Sequence, residues 1–385
     1  MKNKLVYLDN AATSFPKPES VYVAVDKAMR EKCGNPGRSG HRLSLSAQES
    51  INETRMLCAS LFHAGSPNDI VFTNNTTTAL NIALKGILEP GDHVITSTLE
   101  HNSVSRPLRF LEDGGIEITK LNTDLHYGLA VDDIEKAVRP NTKLVVCTHI
   151  SNVTGTVNDI ASIGVFCRDN GVLFLVDAAQ SAGVQPIDVQ DMSIDLLAFP
   201  GHKGLLGPQG TGGLYIRPDL TIKTILHGGT GSRSESLSQP ETMPEKFESG
   251  TSNTPGLAGL AAGIQFILEI GIEQIELREA ILTNRLIEGI DSIDRVTIVG
   301  SGLTANRGSV VSIRIEGASA VECALMMDAA FSIAVRSGLH CAPDAHRSAG
   351  TLENGGTVRI SPNYMNSEDD IDHCLSALEA CVRDL

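Results

Sequence analysis

Asp177 and Lys203 are the first residues from which a chemistry can be read. Asp177 closes the run LFLVD, Leu173 to Asp177, and Lys203 closes the turn AFPGHK, Ala198 to Lys203. A carboxylate placed after a string of apolar residues is costly to bury without a partner. A protonated heteroaromatic nitrogen is a suitable one. A lysine in a tight glycine-containing turn can form a Schiff base with an aldehyde. Thr76-Thr77-Thr78 follows a strand-like run and opens a helical one. Amides and hydroxyls at such a point can cradle a phosphate. A pyridinium nitrogen, an aldehyde and a phosphate together describe pyridoxal 5'-phosphate. Plainer readings stand beside each feature: an ordinary strand-end aspartate, a surface lysine, an N-cap with spare threonines.

Other polar groups fall just past strand-like runs. They are Glu100-His101-Asn102, Thr148-His149 with Asn152, and Gln180 after Asp177. Cys341 lies in RSGLHCAP, a loop framed by glycine and proline, where a thiol is more open than in a helix. His340 beside it could favour the thiolate, although sequence neighbours need not touch. Any one cysteine of eight can also be inert packing. Arg359 ends a short apolar run, where a guanidinium can clamp a carboxylate with two parallel hydrogen bonds.

The elements that must position these groups show in the periodicity. Between residues 70 and 216, short β-rich runs alternate with helical segments, which predicts βαβ units and a mostly parallel sheet. Helices are expected at 19–30 and 46–62, and a long irregular loop at 35–44. A strand is expected over 115–118. The stretch 226–254 reads as an extended loop or crossover. After it, long helices followed by short strands suit a second α+β lobe with a boundary near 255–265. Open parallel sheets bind ligands at the carboxyl ends of their strands, where the candidate residues cluster.

Composition narrows the function. The 385 residues are 41% apolar and 20% charged, as in globular proteins, and suit two domains. A formal charge of −15 argues against nucleic-acid binding. No run reaches 18 apolar residues and no secretory leader is evident, so no membrane association is expected. The eight cysteines form no CxxC pair and no metal-ligand pattern. That spacing predicts free thiols, a cytoplasmic setting and no bound metal.

The motifs YLDNAATSFPKP, NPGRSGH, the TTT turn, LEHNS, SNVTGT, VDAAQS, GHKGLLGPQGTG, SGTSNTPG, RSGLHCAP and GTVRISPNYMN occur in this order. Taken together, the chain resembles the class V aminotransferase family, in its cysteine desulfurase (selenocysteine lyase-like) branch. The resemblance implies an α/β protein of PLP-dependent transferase fold type I, with a mostly parallel seven-stranded sheet sandwiched by helices and a smaller α+β C-terminal domain. It implies a large cofactor domain at 15–258 and a small one at 259–385, with 1–14 associated with the latter. It also assigns roles. Lys203 would carry pyridoxal 5'-phosphate, Asp177 pair with the ring nitrogen, Gln180 bond the ring hydroxyl and His101 stack on the ring. Thr76, Thr77 and His202 would hold the phosphate, joined by Thr251 from the other subunit of a homodimer. Asn152 and Arg359 would hold the substrate carboxylate. Cys341 would take sulfur from L-cysteine as a persulfide, leaving L-alanine, and pass it to an acceptor protein or small thiol. The alternatives are a selenocysteine lyase, or an aminotransferase or β-eliminating lyase in which Cys341 is idle. A scaffold that lost its cofactor should have lost Lys203 or Asp177. One position departs from many relatives: Pro200 stands where they have Ser or Thr, so one phosphate hydrogen bond is missing, or supplied by water or by Ser181. That costs about 1 kcal/mol.

Overall fold

The computed structural model describes residues 5–37, 40–300, 302 and 307–384; Arg38 and Ser39 of the NPGRSGH motif and the first four residues lie outside that set. The chain opens with β1 (Val6–Tyr7), α1 (Glu19–Glu31) and α2 (Arg42–Leu61). An alternating series follows: β2 (Ile70–Thr73), α3 (Thr76–Ile87), β3 (His93–Ser97), α4 (Asn102–Glu112) and β4 (Glu117–Leu121). It continues through α5 (Val131–Ala137), β5 (Thr142–Thr148), α6 (Ile160–Asp169), β6 (Leu173–Asp177), β7 (Leu196–Pro200) and β8 (Gly212–Ile216). The remainder comprises α7 (Thr254–Ile270), α8 (Ile272–Asp291), β9 (Val296–Val299), β10 (Val311–Ile315) and α9 (Ala320–Phe331). β11 (Ile333–Ala334), β12 (Arg336–Gly338), α10 (Pro343–Ser348), β13 (Thr357–Ile360) and α11 (Glu368–Asp384) end the chain.

Seven strands form the main sheet in the order β2-β8-β7-β6-β5-β3-β4. Its five strands from β7 to β4 run parallel, and β8 is antiparallel to both neighbours, β7 and β2. Two reversals restore direction, so β2 points the same way as β7. The carboxyl ends of β2, β3, β5, β6 and β7 therefore share one edge of the sheet. The central strands β5 to β8 are mostly buried because helices cover both faces, whereas the edge strand β4 is partly exposed. Alternation distributes them: Val145, Cys147, Phe174 and Val176 enter the core on one face, and Leu144, Val146 and Leu175 the core on the other.

A four-stranded antiparallel sheet, β12-β13-β10-β9, carries a separate core. Leu282 and Leu286 of α8, Ile313, Val358 and Cys374 fill it, and Val6 and Leu8 from the start of the chain join them. β1 pairs in parallel with β11, at the far end of the sequence.

Two expectations shift. α2 begins at Arg42 and not at residue 46, because the His41 ring caps it by accepting the Ser44 amide at 3.2 Å. β4 starts at Glu117, since Gly114 and Gly115 turn the chain and Gly115 adopts φ 94°. Among the described residues, no single helix is long and apolar enough to cross a membrane.

Candidate active site

Asp177 is the last residue of β6, 1% exposed, and its Oδ1 accepts the Ala179 amide at 3.0 Å. Burial raises its pKa to about 6, opposed by that amide and by the Lys203 charge. Lys203 lies in the turn three residues past the end of β7, the strand that pairs with β6. It keeps some accessible surface, yet burial and the Arg359 cation lower its pKa to about 8 against the pull of Asp177. Such an amine sheds its proton far more readily than a solvated lysine. The turn that carries it is gripped from the N-terminal loop. Ser14 Oγ donates to the Lys203 carbonyl at 2.9 Å, while Lys17 Nζ and Thr13 Oγ1 reach the His202 carbonyl at 2.9 and 3.0 Å.

His101 caps α4. Its Nδ1 accepts the Ser103 amide at 3.0 Å and lies 2.9 Å from Ser103 Oγ, which sits 2.8 Å from Thr77 Oγ1. An acceptor at Nδ1 leaves the ring proton on Nε2. Burial, then the Lys203 charge, lowers the His101 pKa to about 4, so the ring is neutral near pH 7. Behind it, Glu100 Oε1 accepts from Ser97 Oγ at 2.5 Å and from the Thr148 amide at 3.1 Å, pinning the His101 loop between β3 and β5. Thr76 and Thr77 open α3. The Asn75 cap takes the Thr78 amide at 2.9 Å, leaving the first two amides of the helix for a ligand.

Gln180 and His202 are brought to the same place with part of their capacity used. Gln180 Nε2 donates to the Ala11 carbonyl at 3.0 Å. His202 Nδ1 is 3.1 Å from Thr13 Oγ1, and burial lowers its pKa to about 4. Pro200 ends β7. Ser181 Oγ is buried without a hydrogen-bond partner among the described residues. Thr251 does not join this cluster; it is exposed in the loop before α7.

Cys341 arrives from the other lobe, and of the eight free thiols only Cys33 shares its exposure. His340 and Cys341 both adopt left-handed backbone, φ 48° and 59°, a strained pair for side chains of this kind. Two bonds hold it: Asn152 Nδ2 to the His340 carbonyl and the Asn102 amide to the Cys341 carbonyl, both 2.7 Å. The expected help from His340 is overturned. Its ring is buried away from the sulfur, with Nε2 3.0 Å from Thr357 Oγ1, and burial and Arg359 lower its pKa to about 2. A neutral ring supplies no positive charge. Arg336 does so instead, with Nη2 3.9 Å from Cys341 Sγ.

Arg359 is 1% exposed, on β13. Its Nη2 donates to Asp9 Oδ1 at 2.8 Å, its Nη1 to the Asn152 carbonyl at 3.2 Å, and its Nε is buried and unpartnered among the described residues. Asp9, Ser103 and Arg336 are the residues sequence reasoning passed over. Asp9 ends an apolar run as Asp177 does, and Arg336 opens the RSG of the cysteine motif, so two of the three carried a signal.

These groups fit pyridoxal phosphate. Asp177 Oδ2 and Lys203 Nζ have no assigned partner among the described residues, the α3 amides face outward at the same edge, and Arg359 holds an unpaired N–H. The architecture is that of the type I PLP-dependent transferases. The chain belongs to the family described as Aminotransferase class-V, whose profile matches residues 6–374. A probable cysteine desulfurase of Methanothermobacter thermautotrophicus is 39% identical over 381 residues, 97% of this chain and 94% of that protein. One from Pyrococcus abyssi is 35% identical over 100% of this chain and 96% of its own. Among solved structures, the apo cysteine desulfurase of Thermococcus onnurineus superposes with TM-score 0.93 at 36% identity, covering 100% of this chain and 96% of that one. The cysteine desulfurase CsdA of Escherichia coli gives 0.89 at 28% identity, over 100% and 96%.

Proposed function

We propose that this enzyme is a PLP-dependent cysteine desulfurase, which takes sulfur from L-cysteine onto Cys341 and releases L-alanine. The observation that carries the reading is the convergence of the buried Asp177 and the partly buried Lys203 from one lobe with an exposed, backbone-strained Cys341 from the other. Bound through Lys203 and Asp177, the cofactor supplies an electron sink for a carbanion beside the substrate nitrogen. Thr76 and Thr77 at the start of α3, with His202 and Thr251 of a second subunit, hold its phosphate; the Ser181 hydroxyl is placed to offset Pro200. Arg359 receives the substrate carboxylate through Nε, and Asn152 keeps the cysteine loop in place. Lys203, with its lowered pKa, takes and returns the proton at the substrate Cα. His101, neutral with Nε2–H, can donate near the ring. Cys341 Sγ attacks the substrate sulfur, the substrate Cβ–S bond breaks, and a persulfide remains on the enzyme. The assembly is a homodimer in the cytoplasm, where free thiols persist.

The test is incubation of the purified enzyme with L-cysteine and dithiothreitol, following alanine and sulfide together. Equal amounts of both support the reading. Pyruvate with ammonia in place of alanine would turn it toward β-elimination, and transfer of the amino group to a keto acid toward an aminotransferase.

A further inference from the structure

The surroundings of Cys341 contrast with the rest of the molecule. The chain carries a formal charge of −15. Yet four cations on four elements gather around the Cys341 loop: Arg336 of β12 at the sulfur, Lys120 of β4 and Arg347 of α10 on Asp344 of the same loop, and Arg106 of α4 beside His101. Lys120 and Arg347 share one carboxylate, Asp344, three residues beyond Cys341, and each forms an ion pair with it. Arg336 has its Nη2 against the sulfur itself. Arg106 is exposed, and its charge, like that of Arg336, reaches His101. No carboxylate is among the groups that shift His101, whereas four cations are. Of the acids, Asp9 pairs with Arg359, Asp177 is buried, and Asp344 is shared by two cations, which leaves that group one net positive charge. Cys341 therefore opens into a pocket of positive potential on a negative protein.

Building on the desulfurase reading, we propose that this mouth selects an anionic acceptor: a small thiol carrying a carboxylate. In the transfer, the acceptor thiolate attacks the outer sulfur of the Cys341 persulfide. A new S–S bond forms on the acceptor, the bond between Cys341 Sγ and the outer sulfur breaks, and Cys341 leaves as thiolate. The sulfane sulfur changes hands without an external oxidant or reductant. Arg336 faces the thiolate that leaves, and Arg106 with the Lys120–Asp344–Arg347 group attracts the carboxylate of the thiol that arrives. The turn is held by Asn152 and the Asn102 amide, so Cys341 is accessible without being extended, which favours a small acceptor over one that must be reached.

The potential can be read without turnover. Holoenzyme is treated with iodoacetate or iodoacetamide, equal in chemistry and different in charge, and the adduct on the Cys341 peptide is followed by mass spectrometry. The iodoacetate-to-iodoacetamide rate ratio should exceed that of N-acetylcysteine amide by about five-fold, the factor that one unit charge at ~4 Å gives in water. Arg336→Gln and Arg106→Gln should each lower the ratio, Arg336→Gln more. A second arm supplies L-cysteine with mercaptoacetate, 2-mercaptoethanol or cysteamine at equal thiolate concentration, and mercaptoacetate should give the fastest sulfur release. A ratio no greater than that of the free thiol, or one unmoved in both variants, overturns the inference. So does fastest release to cysteamine. If alanine forms from L-cysteine but no thiol takes the sulfur, the inference is overturned; if no alanine forms while the alkylation ratio is raised and charge-dependent, the cationic mouth stands and the desulfurase reading fails.

Discussion

Two nucleophiles meet at this site, and they are built in opposite ways. Lys203 sits past the carboxyl end of β7, whose five residues are all buried, and the loop before α1 clamps its turn through Ser14, Thr13 and the Lys17 ammonium. Cys341 sits in a short, strained turn of the smaller lobe, open to solvent, and is held by two bonds from the large lobe. In the proposed function the lysine keeps one cofactor through many cycles, and its surroundings lower its proton affinity. In the same proposal the cysteine receives an atom from one side and releases it to another, which its exposure permits. Burial tunes the first; placement and a neighbouring guanidinium serve the second.

The comparison can be broken at its buried half. Lys203→Ala should reduce sulfur release by at least ~10³-fold, and borohydride should fix the cofactor to Lys203 and to no other lysine, as peptide mapping would show. Asp177→Asn should slow turnover by ~10²-fold while cofactor absorbance is largely retained; unchanged turnover would make Asp177 a structural residue only. Smaller again is the effect at Ser103, which bridges the phosphate-side Thr77 and His101. Ser103→Ala should cost about ten-fold or less in kcat. It should also move the acid limb of the pH profile, because the Nδ1 contact that fixes the ring proton on Nε2 is weakened; a profile identical to wild type would remove Ser103 from the account.

The smallest effect concerns stability, at the junction of the two lobes. Glu279 of α8 lines the cavity that reaches Lys203, and its carboxyl is buried, accepting from Ser309 Oγ at 2.6 Å and the Tyr364 amide at 3.2 Å. Burial raises its pKa from an ordinary 4.5 to about 7. Folded protein therefore holds this proton where unfolded chain has lost it. The contribution is full below pH 4.5 and disappears as pH rises through 7, an amount of about 3 kcal/mol at most. Glu279→Gln should flatten the pH dependence of urea unfolding between pH 4.5 and 7; an identical slope in both proteins would show that the carboxyl ionises normally.

The same contrast explains how much the sequence made legible. β6 and β7 were readable because double-sided burial leaves long apolar runs ended by one polar residue, and the strand ends gave Asp177 and Lys203. The parallel arrangement then brought Thr77, His101 and Asn152 to the same edge. The cysteine half was less readable. β11 and β12 span two and three residues, too short for a period to register. The partner of Cys341 is Arg336, five residues back across a turn, and not the adjacent His340, whose ring is buried against Thr357. Asp9 bonds Arg359 from 350 residues away, a pairing no local pattern reveals.

The central claim, that Cys341 is the sulfur carrier opposite the partly buried Lys203, is tested most directly by a brief pulse of L-cysteine without reductant, followed by mass spectrometry. Wild type should gain about 32 Da, one sulfur atom, on the peptide containing Cys341 and on none of the other seven cysteines. Cys341→Ala should bind cofactor and substrate yet gain no sulfur and release almost none. Sulfur on a different cysteine, or full sulfide release by Cys341→Ala from cysteine, would contradict the account.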